Sequence, residues 1–306
     1  MRQKTPLFFI LLSSVFLFLG IGEGQETPLT TEKAVEGRIV FQSNMDGDNE
    51  IYMISGEKVI KLTDNTWEDQ YPVWSPDGEK IAFSANPEGN FNIYTMDASG
   101  AGIEALTSFP GDEETPSWYP DGKHIAFTRL VKQLAGKKQS LYAVDIRTKS
   151  TEKIIPRFNK NHAIPHFSLE SPLMAFTVKR TFGWDVAVYD LEDHKIDYVE
   201  EGGKSCRARF SNDGKKLAYV STKTDGKGDI SLMKPDGSQK TRMIQRDETH
   251  DYFPSWSPDG RRIVFSSGLE HDIESDWQIL VYDFDSGKTY LLFDSPGSDV
   301  FPDWHE

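Results

Sequence analysis

The sequence predicts an all-β fold: a six-bladed β-propeller of four-stranded blades whose first blade is closed by the C-terminal strand. Three observations lead there. One unit recurs along the chain, its period is that of a propeller blade, and no segment sustains a helical period. The unit is clearest from Tyr71 to Ser84, which reads Tyr-Pro-Val-Trp-Ser-Pro-Asp-Gly-Glu-Lys-Ile-Ala-Phe-Ser. It returns from Phe253 to Ser266 and from Thr115 to Thr128, and in weaker form from Ile164 to Thr177 and Cys206 to Val220. A truncated copy, Phe301-Pro-Asp-Trp304, ends the sequence.

Each element has a reason. Pro-x-Trp alternates as a strand does, and Ile-Ala-Phe alternates on the way back. Between them, Ser-Pro-Asp-Gly is a turn: Pro presets φ, Asp bonds its own backbone and Gly takes positive φ. Aligned on Trp74, Trp118, Phe167, Phe210, Trp256 and Trp304, the copies are spaced from the low to the high forties, the length of four strands and their turns. Strand a is Pro-x-Trp and strand b is Ile-Ala-Phe. Strand c reads as in Glu50-Ile-Tyr-Met53, and strand d as in Val59-Ile-Lys-Leu62. The first copy begins with strand b, at Arg38-Ile-Val-Phe41, so Val300 to Trp304 is expected to supply its strand a and close the ring.

Ahead of the repeats, residues 1–24 read as a secretory signal peptide: Arg2 and Lys4, an apolar run from Leu7 to Ile21, then Gly20, Gly22 and Gly24. An uncleaved anchor is the alternative. Residues 25–36 read as a flexible tether, and residues 37–306 as the propeller. The single cysteine, Cys206, falls in a strand and is expected to be a buried small hydrophobe.

The 306 residues are 37% apolar and 27% charged, enough chain for a large core. A formal charge of −14 argues against nucleic acid and anionic membrane surfaces as partners. No membrane insertion is expected once the signal is removed. No Gly-x-Ser-x-Gly, HExxH or phosphate loop is present.

The unit Pro-x-Trp-Ser-Pro-Asp-Gly-x-x-Ile-x-Phe, followed by Ile-Tyr-x-Met-Asp and Leu-Thr, resembles the WD40-like (PD40) repeat of the TolB propeller family. Tyr71 to Thr107 and Phe253 to Phe293 are its best copies, and the resemblance runs from Gly37 to Glu306. Related repeats build the propellers of prolyl oligopeptidases. The resemblance implies a stand-alone, exported, TolB-like propeller, periplasmic or secreted. The α/β domain that the TolB family carries ahead of its propeller is not expected, because only Gln25 to Glu36 stand between the signal-like segment and the repeats.

Strand direction places the d–a and b–c loops on one face and the Ser-Pro-Asp-Gly and c–d turns on the other. The first face varies in length and charge and is the expected binding face. Three residues before the strand-a proline position stand Asp69, Glu113, His162, Asp251 and Asp299, with Lys204 four before it in the fifth copy, and Glu68, Asp112 and His250 stand one residue earlier than their neighbours. They are expected to form a mostly acidic collar around the axial opening. The competing reading makes them caps that bond turns and backbone between blades. Trp67, Trp184 and Trp277 are expected as aromatic anchors on the same face, beside a basic loop from Arg129 to Ser140 and an acidic one from Gly268 to Asp276.

No metal site is expected. Asp46-Gly-Asp48-Asn-Glu50 reads as a hairpin turn, calcium being the weaker alternative, because Ile51 stands where a calcium loop requires Gly. No other cofactor is expected. The functional expectation is a monomeric, non-catalytic scaffold that holds a protein partner in the cell envelope or extracellular space. The alternative is a propeller lyase or hydrolase, or a glycan or small-molecule binder, that uses His162, His250 and the collar carboxylates.

Overall fold

The computed structural model describes residues 30–31, 35–134, 136–244 and 246–306. The expected signal peptide, and the tether at 25–29 and 32–34, lie outside the described residues. Among those described, there is no helix, and hence none long and apolar enough to cross a membrane.

Six sheets follow one another around a ring. Beside β1 (Thr30–Thr31), the first blade holds β2 (Val35–Ser43), β3 (Glu50–Gly56) and β4 (Lys58–Lys61). The second holds β5 (Asp69–Trp74), β6 (Lys80–Ala85), β7 (Asn92–Asp97) and β8 (Glu104–Ala105). The third holds β9 (Asp112–Trp118), β10 (His124–Gln133), β11 (Gly136–Asp145) and β12 (Thr151–Lys153). The fourth holds β13 (His162–Phe167), β14 (Leu173–Arg180), β15 (Gly183–Asp190) and β16 (Ile196–Glu200). The fifth holds β17 (Ser205–Phe210), β18 (Leu217–Ser221), β19 (Asp229–Met233) and β20 (Thr241–Arg242). The sixth holds β21 (His250–Trp256), β22 (Arg262–Gly268), β23 (Trp277–Asp283) and β24 (Lys288–Phe293). The last strand, β25 (Asp299–His305), pairs with β2 and completes the first blade, as the sequence predicts. The first strand of blade one, β2, begins two residues earlier than the expected boundary at Gly37, and β1 adds a parallel strand to the outer edge of β24.

The turn chemistry is the one the motif encodes. Asp77 accepts the Ser75 hydroxyl at 2.6 Å and the Glu79 N–H at 3.1 Å, and Gly78 has φ +67°. Ser211-Asn-Asp-Gly214 and Ser257-Pro-Asp-Gly260 repeat this arrangement. The returning Ile-Ala-Phe buries its aromatic: Phe41, Phe83, Phe127, Phe176 and Phe265 are all within the core.

That core lies between blades. Val73, Ala82, Ile93 and Leu106 of blade two pack against Trp118, Ile125, Phe127 and Val144 of blade three. Two of the strand-a tryptophans add a polar tie between neighbouring blades. Trp118 Nε1 donates to the Val73 carbonyl at 3.3 Å, and Trp256 Nε1 to the Arg209 carbonyl at 3.2 Å.

Strand a carries one irregularity in every blade. The residue before the proline position has left-handed backbone: Tyr71, Thr115, Ile164, Arg207, Phe253 and Phe301 lie between φ +54° and +58°. The a–b register shifts at the same place in each blade, the signature of a β-bulge. Positive φ is unfavourable for any of these residues and most so for β-branched Thr115 and Ile164.

The closing strand does more than pair. Trp304 Nε1 donates to the Glu36 carbonyl at 2.9 Å. Asp303 accepts the Trp74 N–H of blade two at 2.9 Å and the Ser255 hydroxyl of blade six at 3.1 Å, and lies 3.5 Å from Arg209 of blade five. Truncation before Val300 is therefore expected to lower the melting temperature of the whole ring in one transition. Asp303→Ala, which strands Arg209, is expected to cost about 2–3 kcal/mol in denaturant unfolding. Full-length stability in either variant would refute this account of the closure.

Candidate functional site

The left-handed residues face the axis on the d–a/b–c side. There they line a cavity of about 260 Å³ to which all six blades contribute. One wall is aromatic: Tyr71 meets Phe301 edge-on at 4.5 Å, and Phe301 meets Phe253 at 3.9 Å. Arg207 lies over Phe253 at 4.8 Å, and Glu114 stands in the same lining with its carboxyl pushed up by burial. A second axial cavity, of about 410 Å³, opens on the Ser-Pro-Asp-Gly side. Arg209 lines both cavities and is held by Asp303 between them.

The expected collar takes a different place. Asp69, Glu113, His162, Asp251 and Asp299 are buried, and none lines the axial cavity. The reason is the fold of the d–a loop. Asp69 accepts from Asn65 at 2.6 Å, and Asp299 accepts the Ser295 N–H and hydroxyl, both at 2.9 Å. Asp251 accepts from Ser267 at 2.6 Å and lies 3.6 Å from Arg246, while Glu113 lies 3.6 Å from Arg129. His162 Nδ1 donates to the Lys160 carbonyl at 2.7 Å, with its ring against Phe158 and Phe176.

In blades two, three and six the backbone of the same residues ties the blade to the one before it. The N–H groups of Asp69, Glu113 and Asp251 donate to the carbonyls of Asn49, Phe91 and Gly228. Glu68 and Asp112, one residue earlier, likewise accept from Asn49 and Phe91. The geometry is that of a joint between blades.

The remaining predicted residues divide. Lys204, Trp184 and Trp277 come together in a third cavity, of about 290 Å³, off the axis. Trp67 is exposed on its d–a loop. His250 belongs to blade six, where it meets His271 edge-on at 5.3 Å, far in the topology from His162 of blade four. No cluster of three or more His, Cys, Asp or Glu among the described residues is arranged to hold a metal.

In the calcium-like turn, Asp46 accepts from the Tyr52 hydroxyl at 2.7 Å and pairs with Lys61 at 3.1 Å, while Glu50 is buried beside Asn65. Cys206 is only half-buried and touches both the axial and the off-axis cavity, so it is not the core residue expected.

Arg207, Glu114, Arg209 and Asp303 are the cavity residues the sequence reading missed. For Arg207, Arg209 and Asp303 the signal was present in the repeat. The position before the proline and the x of Pro-x-Trp are two apart in strand a, and these are the positions whose identity changes from copy to copy.

The buried joint makes a prediction about pH. Burial, aided by the neighbouring Glu50 carboxylate, raises Asp69 to about 7, and burial raises Glu113 to about 7 and Asp251 and Asp299 to about 6. The folded ring thus keeps protons that the unfolded chain has already released, so stability falls as pH rises through these values. His162, lowered to about 4 by burial, works in the opposite sense, but only below the ordinary value of 6.5. The melting temperature is therefore expected to rise as pH is lowered from about 8 to about 6.5, and Asp69→Asn with Glu113→Gln to flatten that slope. A melting temperature that drops over that interval would contradict the assignment.

Comparison with known proteins agrees with this architecture. The chain is 28% identical over 244 residues to the Tol-Pal system protein TolB of Francisella tularensis subsp. mediasiatica, covering 76% of this chain and 55% of that protein. The chain thus spans about half the length of the curated relatives it matches. Among solved structures, TolB from Acinetobacter baumannii superposes with a TM-score of 0.73 at 22% identity, over 88% of this chain and 66% of that one. A putative TolB from Agrobacterium tumefaciens gives 0.68 at 20% identity, over 88% and 98%. The TolB beta propeller domain family matches residues 36–134 and 115–305. With nearly all of its repeats so matched, this chain belongs to the TolB beta propeller domain family.

Proposed function

We propose that this propeller is an exported, non-catalytic scaffold that holds a protein partner on its d–a/b–c face, outside the cytoplasm. One observation carries the reading: large apolar side chains are exposed at loop tips of that face. Leu134 is fully exposed at the tip of the blade-three b–c hairpin, Phe182 is 90% exposed at that of blade four and Leu269 is 71% exposed after β22. Trp67 joins them from the first d–a loop. Apolar groups presented this way around a cavity are the usual anchors of a protein contact.

Charge adds a direction to the face. The b–c loop of blade six carries Glu270, Asp272, Glu274 and Asp276, and that of blade one carries Asp46 and Asp48. Across the ring, blades three and four offer Arg129, Lys132, Lys137, Lys138, Lys179 and Arg180. The face is acidic on one arc and basic on the other, which favours a partner of matching polarity and fixes its orientation. The match to Tol-Pal system proteins and the signal-like residues 1–24 support a place in the cell envelope.

A photo-crosslinker at Phe182 and, separately, at Leu269 is expected to trap the same partner. The triple change Leu134→Ser, Phe182→Ser, Leu269→Ser is expected to weaken that complex at least about tenfold without altering the melting temperature. Undiminished binding of that partner by the triple variant would remove the face from its role.

A further inference from the structure

The off-axis cavity has a composition unlike the rest of this acidic chain. It lies on the d–a/b–c side where blades four, five and six meet. Its charged and titratable lining is Lys204, Arg207 and His271 beside Cys206, with no carboxylate, although the formal charge of the chain is −14. Its remaining walls are largely aromatic: Trp184, Tyr252, Phe253 and Trp277.

The walls are fixed by packing. Trp277 is 1% exposed, and its Nε1 donates to the Asp272 carbonyl at 2.8 Å. Its ring rests on Gly268, where a Cβ would come within 2.7 Å of it. Tyr252 rests in the same way on Gly228, where a Cβ would come within 2.1 Å, and meets Trp277 edge-on at 5.9 Å. These glycines are the space the two rings occupy.

The cations are held but not neutralised. Arg207 has its backbone set by the left-handed bulge, with its N–H on the Thr177 hydroxyl at 3.1 Å. Its guanidinium lies over Phe253 at 4.8 Å and Tyr252 at 5.5 Å and donates to Cys206 Sγ at 3.2 Å. Among the described residues, neither Arg207 nor Lys204 has a carboxylate within ion-pair distance. Neighbouring arginines all do: Arg180 pairs with Asp185 and Glu201, Arg209 with Asp303, and Arg246 with Asp251. Arg207 is also the single charged residue among the six at this position of the repeat.

A guanidinium stacked on a ring and lacking an anion is a prepared receptor for a planar one, because its donor fork matches a carboxylate and a ring-bearing ligand can use the adjacent aromatic faces. We propose that this cavity binds a small ring-bearing carboxylate, of the aromatic-acid or sugar-acid class, with the carboxylate on Arg207 and Lys204 and the ring against Trp184 and Tyr252. This site is separate from the loop-tip contact and stands or falls apart from it.

Calorimetry and tryptophan fluorescence on the intact chain test it, with benzoate and glucuronate as probes and glucose and inorganic phosphate as comparisons. Benzoate or glucuronate is expected to bind saturably and glucose not to bind. Arg207→Gln and Lys204→Met are each expected to weaken the carboxylate about tenfold or more, while Lys215→Met, on the exposed blade-five turn of the opposite face, leaves it unchanged. Lys204 is exposed, so its variant remains informative even if Arg207→Gln fails to fold. The proposal is overturned if neither carboxylate saturates, if phosphate binds in their place, or if Lys204→Met binds as the parent chain does.

Discussion

The pairing of β25 with β2 is the interaction on which the rest depends. A row of blades has two open sheet faces at its ends, and each would expose apolar side chains to water. Antiparallel pairing of Ile39 with Trp304 and Gln42 with Val300 joins the two ends of the repeat array within one sheet. It also brings Asp303 to the axis, where a single carboxylate touches blades two, five and six. A buried carboxylate is costly when alone and useful when several donors share it. Its position between the two axial cavities makes it a hub as well as a latch.

The ring then divides its inner strands into two functions. Early in strand a, Asp69, Glu113, His162, Asp251 and Asp299 turn away from the axis: Asp69, His162 and Asp299 bond the loop that precedes them, Asp251 bonds both Thr249 of that loop and Ser267 of strand b, and Glu113 pairs with Arg129 of strand b. Two residues on, the bulge reverses the local backbone and turns Tyr71, Thr115, Ile164, Arg207, Phe253 and Phe301 toward the opening. The unfavourable conformation recurs in every blade, and the packing of neighbouring blades holds it in place. The walls of the axial cavity are therefore built on backbone that takes the same geometry in every blade.

The fold was legible because its signals are local and repeated. Ser75-Pro-Asp-Gly78 encodes its own turn, Phe83 and its counterparts encode the buried edge of strand b, and the missing strand a of the first copy points to Phe301-Pro-Asp-Trp304. The site was legible only in part. Trp184, Lys204 and Trp277 were expected on the d–a/b–c face, and the structure brings them to one cavity. The carboxylates were misplaced because spacing along a strand gives position around a ring but not direction toward or away from its axis. That direction depends on the bulge, which no single residue type announces, since tyrosine, threonine, isoleucine, arginine and phenylalanine all occupy it. Cys206 followed the same pattern: its neighbours in sequence suggested a core strand, while the bulge beside it left the thiol at a cavity wall.

The bulge makes chemistry at the opening independent of architecture. A substitution there alters neither a ladder hydrogen bond nor a turn, because backbone geometry at all six sites is already the same for aromatic, aliphatic, hydroxyl and guanidinium groups. Each copy is in effect a socket that accepts interchangeable fittings. Recognition in such a molecule can be re-specified one blade at a time, with the remaining five serving as an unaltered frame.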